Sequence, residues 1–251
     1  MTANDVANII LAIGASPIMA DEVLEVEDIT SLAQGLNINL GTINQNRFQA
    51  MKKAGVTANK HHIPVLLDPV GIGASKLRQR YVHELMDNIH FDVIRGNISE
   101  IKALYQNSST KGVDAYSIDV ITSDNIDQVV SFIKEVAQMY HCIIAVSSAI
   151  DIVADENKAY VIYNGHAMMS RITGSGCMLS GLCAAFMSVN KDNMLDAIAL
   201  SFMYNDIAGE MAYEKMIEYH TGNSTYRHDL IDAIYLMNAH DIRERVHYEI
   251  F

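Results

Sequence analysis

The chain has 251 residues, 50% hydrophobic and 19% charged, long enough to bury a substantial core and too apolar for a disordered tail protein. Its 30 acidic against 18 basic residues give a formal charge of −12, and no basic run exceeds Lys52-Lys53, which argues against nucleic acid and anionic membranes as partners. A small phosphorylated ligand with Mg²⁺ stays open, since it needs only a few placed donors.

Three cysteines without C-x-x-C spacing, Cys142, Cys177 and Cys183, fit a reducing, cytoplasmic setting. The apolar stretch Met178 to Val189 is shorter than the roughly 18 residues of a membrane span, and the N-terminus has no basic leader, so neither a transmembrane helix nor a signal peptide is expected.

In chain order, Val6, Ile9, Ile10 and Ile13 recur at helical spacing up to Gly14 and Pro17, predicting a first helix that ends in a turn. An acidic stretch from Asp21 to Asp28 leads into Leu36 to Leu40, whose period-two alternation predicts a half-buried strand. A helix over Asn46 to His62 precedes the apolar run Pro64 to Leu67, the pattern of a strand covered on both faces of a parallel sheet. His61-His62 reads as a solvated helix end. Helix Gln79 to Asn88, strand Asp92 to Arg95 and helix Ser99 to Tyr105 repeat the unit. A polar loop near Asn107 to Gly112, helix Ser123 to Tyr140 and strand Cys142 to Ser147 follow. Ile150 to Ala154 and Ala159 to Tyr163 read as a hairpin extending one edge. Beyond Thr173 the chain is expected to be helical to its end, over Cys177 to Val189, Asp192 to Glu218 and Tyr226 to Asn238, with the first of these buried. The alternation predicts one α/β domain, 1–251, with a mostly parallel sheet flanked by helices on both faces and a helical C-terminal third.

Ligands of open α/β sheets collect beyond the carboxyl ends of the strands. Thr173-Gly174-Ser175-Gly176-Cys177 opens the buried helix. Its glycines allow close approach to a ligand, and the helix start attracts an anion; a tight loop with positive φ would use the same residues. Asp68 at a strand end reads as a Mg²⁺ ligand or a turn cap. Glu100, three residues after Asn97, reads as a capping-box partner. Arg95 ends an apolar strand and should therefore meet a carboxylate or a phosphate. Together these residues favour phosphoryl transfer to a small molecule.

At these residues the sequence resembles the hydroxyethylthiazole kinases of thiamine salvage, a branch of the ribokinase-like kinases. The resemblance runs in order through Gly14-Ala15-Ser16-Pro17-Ile18-Met19, Asn39-Leu40-Gly41-Thr42, Asp68 to Ala74, Ile94 to Ile101, Asn164-Gly165-His166 and Thr173 to Cys177. It implies transfer of the ATP γ-phosphate to the primary alcohol of 4-methyl-5-(2-hydroxyethyl)thiazole, with Mg²⁺, in a homotrimer whose sites lie between subunits. By motif position it assigns Met19 and Gly174 to the thiazole, Arg95 and Ser147 to ATP, and Asp68 and Glu100 to Mg²⁺. Cys177 falls beside the reacting hydroxyl, and Gly174, Ser175, Gly176 and Cys177 form an anion hole.

Two departures from the family pattern carry expectations. Ser147-Ser148 replaces the usual Thr-Gly, which should weaken ATP binding if the backbone passes close to the nucleotide there. The family also starts further upstream, with a His-x-Ile-x-Asn segment that is expected to be missing here, Asn4 matching a position after it. A kinase for another small alcohol and a catalytically impaired ligand-binding homologue are the alternative readings.

Overall fold

The computed structural model describes residues 3–108 and 120–251. Among the described residues, seven strands form one sheet in sequence order: β1 (Leu36–Asn39), β2 (Val65–Asp68), β3 (Val93–Asn97), β4 (Ile143–Ser147), β5 (Asp151–Ala154), β6 (Ala159–Ile162) and β7 (Tyr248–Ile250). The first four are parallel and the last three antiparallel. The predicted mostly parallel sheet is thus found.

Side-chain alternation sorts the strands between two cores. Ile38, Val65, Leu67, Ile94, Ile144 and Val146 pack with α3 (Gln45–Lys60), α4 (Lys76–Met86), α5 (Ile98–Ser108) and α6 (Ile126–Tyr140). Leu66, Val93, Ile143, Ala145 and Val153 face the other way, onto α7 (Ser175–Val189) and α8 (Met194–Glu218). All four residues of β2 are therefore buried, as an apolar strand covered on both faces should be. Outside α7 and α8 lie α1 (Ala3–Ala12) and α9 (Asn223–Leu236), which share a third cluster with them.

On the α7 face, period two changes character at one edge of the sheet. Leu66 is followed by Asp68, Val93 by Arg95 and Ala145 by Ser147, while Asn39 pairs in register with Asp68. The antiparallel β5 begins at this same edge with Asp151, beside Ser147. Five strands thus deliver Asn39, Asp68, Arg95, Ser147 and Asp151 to one row.

Three elements differ from expectation. The acidic stretch before β1 contains α2 (Val26–Leu32), with Glu27 and Asp28 in its first turn, where carboxylates meet the positive end of the helix dipole. The C-terminal end is not wholly helical: after α10 (Ala239–Arg245) the chain forms β7 against β6. Residues 248–250 are all exposed, so no buried apolar pattern marks that strand. Of the loop expected near Asn107 to Gly112, residues 107 and 108 close α5 and the rest lie outside the described residues. Among the described residues, no helix is long and apolar enough to cross a membrane.

Candidate active site

The centre of the row is a buried ion pair. Asp68 is 0% exposed, and the Nη1 of Arg95 lies 3.7 Å from its Oδ2. That oxygen accepts from Asn39 Nδ2 at 2.8 Å and from Ser180 Oγ at 2.7 Å. Its twin, Oδ1, is buried without a hydrogen-bond partner, as is Arg95 Nε. Burial raises the pKa of Asp68 to about 6, against the opposing pull of Arg95 and of the Ser180 hydrogen bond. On its other side Arg95 donates through Nη2 to Ser147 Oγ, so one guanidinium spans the ends of β2 and β4.

The start of α7 closes over this pair. Gly174 caps the helix with φ +83°, a left-handed conformation that favours glycine. A Cβ at Gly176 would stand 2.7 Å from Arg95 Nη1, so only glycine lets the helix sit so close to the guanidinium. The N–H groups of the first turn have no carbonyl of their own helix to bond, and together with Arg95 they form a positively polarised cradle. Cys177 Sγ accepts from Asn39 Nδ2 at 3.3 Å, so a single amide links the thiol to Asp68.

Glu100 combines two roles. It and Asn97 form a reciprocal cap, Asn97 N–H donating to Oε2 at 2.9 Å and Glu100 N–H to Asn97 Oδ1 at 2.9 Å. Its Oε1 accepts from Gly71 N–H at 2.9 Å, which draws the loop after β2 against β3. Arg78 holds that loop from α4, donating to the carbonyls of Leu40 and Val70 through Nη1 and of Gly41 through Nη2.

The fold therefore gathers Asp68, Arg95, Ser147, Glu100 and the Gly174–Cys177 turn. Met19 is 51% exposed on the segment after α1 and belongs to none of the buried apolar clusters of the described residues. Ser148 is exposed and does not adopt a positive φ, so its backbone conformation does not require the glycine usual at that place. His61 and His62 are exposed at the end of α3. Asn39, Ser180 and Arg78 escaped the sequence reading as parts of the site. For Asn39 a signal existed, a polar residue at the end of a half-buried strand; for Ser180 and Arg78 there was none.

This arrangement sets the positively polarised start of α7 above a buried Asp–Arg pair at the carboxyl ends of parallel strands, the place where such sheets bind ligands. The model of the hydroxyethylthiazole kinase family matches residues 1–240. The chain belongs to this family of kinases. It is 48% identical over 252 aligned residues to the hydroxyethylthiazole kinase of Clostridium acetobutylicum, covering 100% of this chain and 92% of that one. With that of Clostridium tetani the identity is 43%, covering 98% of this chain and 88% of the other. The solved structure of a hydroxyethylthiazole kinase protein from Pyrococcus horikoshii OT3 superposes with a TM-score of 0.87 at 32% identity, covering 100% of this chain and 90% of that one. A ribokinase-like superfamily protein from Enterococcus faecalis shares the fold, with a TM-score of 0.62 at 13% identity over 92% of this chain and 80% of the other.

Proposed function

We propose that this family member transfers the γ-phosphate of ATP to the primary alcohol of 4-methyl-5-(2-hydroxyethyl)thiazole, as a step of thiamine salvage. The observation that carries the reading is the Asp68–Arg95 pair lying beneath the Gly174–Cys177 helix start, within a chain of this family. Phosphoryl transfer asks a protein mainly for positioning and for stabilisation of charge. Arg95, fixed by Ser147 and Asp68, presents positive charge to the phosphates. The N–H groups of Ser175, Gly176 and Cys177 receive the equatorial oxygens of the group in transit. Gly174 leaves room for the thiazole, and Cys177 stands beside the alcohol.

The residues present fit Mg²⁺. Asp68 Oδ1 is an orphaned buried acceptor, and Glu100 keeps lone pairs beyond the two backbone N–H groups it accepts. Mg²⁺ is typically bound through one or two carboxylates together with substrate phosphates. Asp68 and Glu100 would hold it, and when bound it would neutralise phosphate charge. The exposed Ile18 and Met19 support a homotrimer in which a neighbouring subunit covers the thiazole side. Three free thiols support a cytoplasmic setting.

A loose transition state demands little of a base, and a thiolate is a weak base toward an alcohol. Cys177→Ala is therefore expected to keep measurable turnover in a steady-state assay of ADP release, and Cys177→Asp to equal or exceed it. Complete loss in a folded Cys177→Ala protein would make the thiol indispensable and contradict this division of labour.

The proposal is tested by comparing kcat/KM for the hydroxyethylthiazole, ribose and a hydroxymethylpyrimidine with Mg-ATP. The thiazole is expected to be preferred, because Met19 and the glycine turn offer no row of partners for several hydroxyls, and sites built to bond hydroxyls discriminate most strongly. A higher kcat/KM for either competitor would overturn the assignment and favour a kinase for another small alcohol.

A further inference from the structure

Next to Ser147 the polar row ends in a second pair of buried acidic side chains. Asp151 is 4% exposed, and its Oδ1 accepts from Ser148 N–H at 2.7 Å, closing the turn between β4 and β5. Asp206, 3% exposed on α8, comes within hydrogen-bonding reach of Asp151. Asp206 Oδ1 accepts from Asn205 Nδ2 at 3.2 Å, while Oδ2 is buried with no donor. Two ionised carboxylates in such contact, one with an unbonded oxygen out of reach of water, would repel strongly. If Asp206 is a neutral acid, its carboxyl O–H has Asp151 as its acceptor.

Among the described residues, Arg95 is the cation that acts on this pair, and it is shared. Arg95 acts on Asp151 from β3, but it also faces Asp68 at 3.7 Å and donates to Ser147. Glu210, one turn along α8, adds negative charge, and it accepts from Asn164 Nδ2 at 3.1 Å and Gly165 N–H at 2.8 Å. Tyr226 of α9 donates to the Gly209 carbonyl at 3.1 Å. Burial pushes both aspartic acids upward, and the charge of Asp151 pushes Asp206 further.

We propose that Asp206 is a neutral carboxylic acid that donates to Asp151 and thereby acts as a positioning residue, fixing the Ser147–Ser148 turn on which the nucleotide rests. The role of the turn rests on the function proposed above; the protonation of Asp206 does not. No proton leaves the pair: Asp206 keeps it and Asp151 accepts the hydrogen bond.

The test pairs a direct readout with a kinetic one. Infrared difference spectra at pH 8, well above the pKa of about 6 of Asp68, are expected to show a neutral carboxylic-acid C=O band that disappears in Asp206→Asn. No such band in the unaltered protein, or the same band in Asp206→Asn, overturns the proposal whatever the enzyme's substrate. In steady-state kinetics, Asp206→Leu loses the donor and is expected to raise KM for ATP about fivefold, the size of one hydrogen bond, with much less effect on KM for the alcohol. Asp206→Asn keeps a donor for Asp151 and should rescue KM for ATP. Equal KM values for ATP in the Leu variant and the unaltered protein, or equal rises in both KM values, would leave the acid neutral but overturn its positioning role. Should Asp206→Leu fail to fold, the spectra of Asp206→Asn still decide the protonation.

Discussion

Replacing Arg95 by Ala is expected to lower kcat/KM on the order of 10³-fold, the scale of losing a preorganised charge in a phosphoryl-transfer site, and to destabilise the protein in a pH-dependent way. Asp68 is fully buried and has Arg95 as its counter-charge. Stripping one partner from such a pair leaves a charge that the interior cannot tolerate. Asp68 escapes by taking up a proton, and that escape bounds the loss. At pH 8 it means protonating a group about two pH units above its present pKa of about 6, or about 3 kcal/mol. At pH 6 and below, where Asp68 already carries a proton for much of the time, the loss from this source falls toward zero. For a chain of this size about 3 kcal/mol corresponds to a fall in Tm of about 5–10 °C. Melting curves at pH 8 and pH 5.5 check the sign. A Tm that falls equally at both values would show that Arg95 contributes packing and not neutralisation.

The second large effect is opposite in its two readouts. The folded state raises the Asp68 pKa from 3.8 to about 6. Between those values the folded protein binds more protons than the unfolded one, so stability falls as pH rises through the window and the full penalty persists above it. Two pH units amount to about 3 kcal/mol. Asp68→Asn removes the charge while a carboxamide oxygen can still accept from Asn39 and Ser180. Arg95 keeps Ser147 as its acceptor and the nearby charge of Asp151, so it is not left without a partner as Asp68 would be in Arg95→Ala, and Asp68→Asn is expected to be more stable at pH 8, by about 1–3 kcal/mol, with the gain shrinking toward pH 4. Activity should move the other way, dropping by about 10²-fold or more, because the carboxylate that would hold Mg²⁺ is gone. Chemical denaturation at pH 8 and pH 4.5 together with kinetics checks both. A variant less stable than the parent at pH 8 would show the buried carboxylate to be a net stabiliser.

Most of the site was legible because it is built by alternation. Asp68 follows Leu66, and Arg95 follows Val93, on strands whose apolar runs are unambiguous, so a charged residue at the strand end must find a partner. The Gly174–Cys177 turn was legible for a related reason: two glycines before an apolar helix have few uses. What escaped depends on contacts that sequence separation hides. Asn39 reaches Cys177 across 138 positions, and Arg78 reaches the carbonyls of Leu40 and Gly41 from a helix that follows the next strand. Asp206 did leave a trace, since Asn205-Asp206 sets two polar residues inside the otherwise apolar run from Phe202 to Gly209, and a carboxyl there has to be neutral or paired. The strand β7 left none, because backbone pairing with β6 holds it and its side chains are exposed.

The central claim is that the cradle formed by Arg95, Asp68 and the start of α7 moves a phosphoryl group from ATP to a thiazole-borne primary alcohol. Phosphorus-31 NMR of the purified protein incubated with Mg-ATP and the hydroxyethylthiazole tests it most directly. The expected result is a new phosphate monoester resonance, coupled to the methylene protons of the alcohol, appearing in step with ADP and absent when the alcohol is omitted. ADP accompanied by inorganic phosphate alone, or no turnover by a folded protein at saturating substrates, would contradict the account.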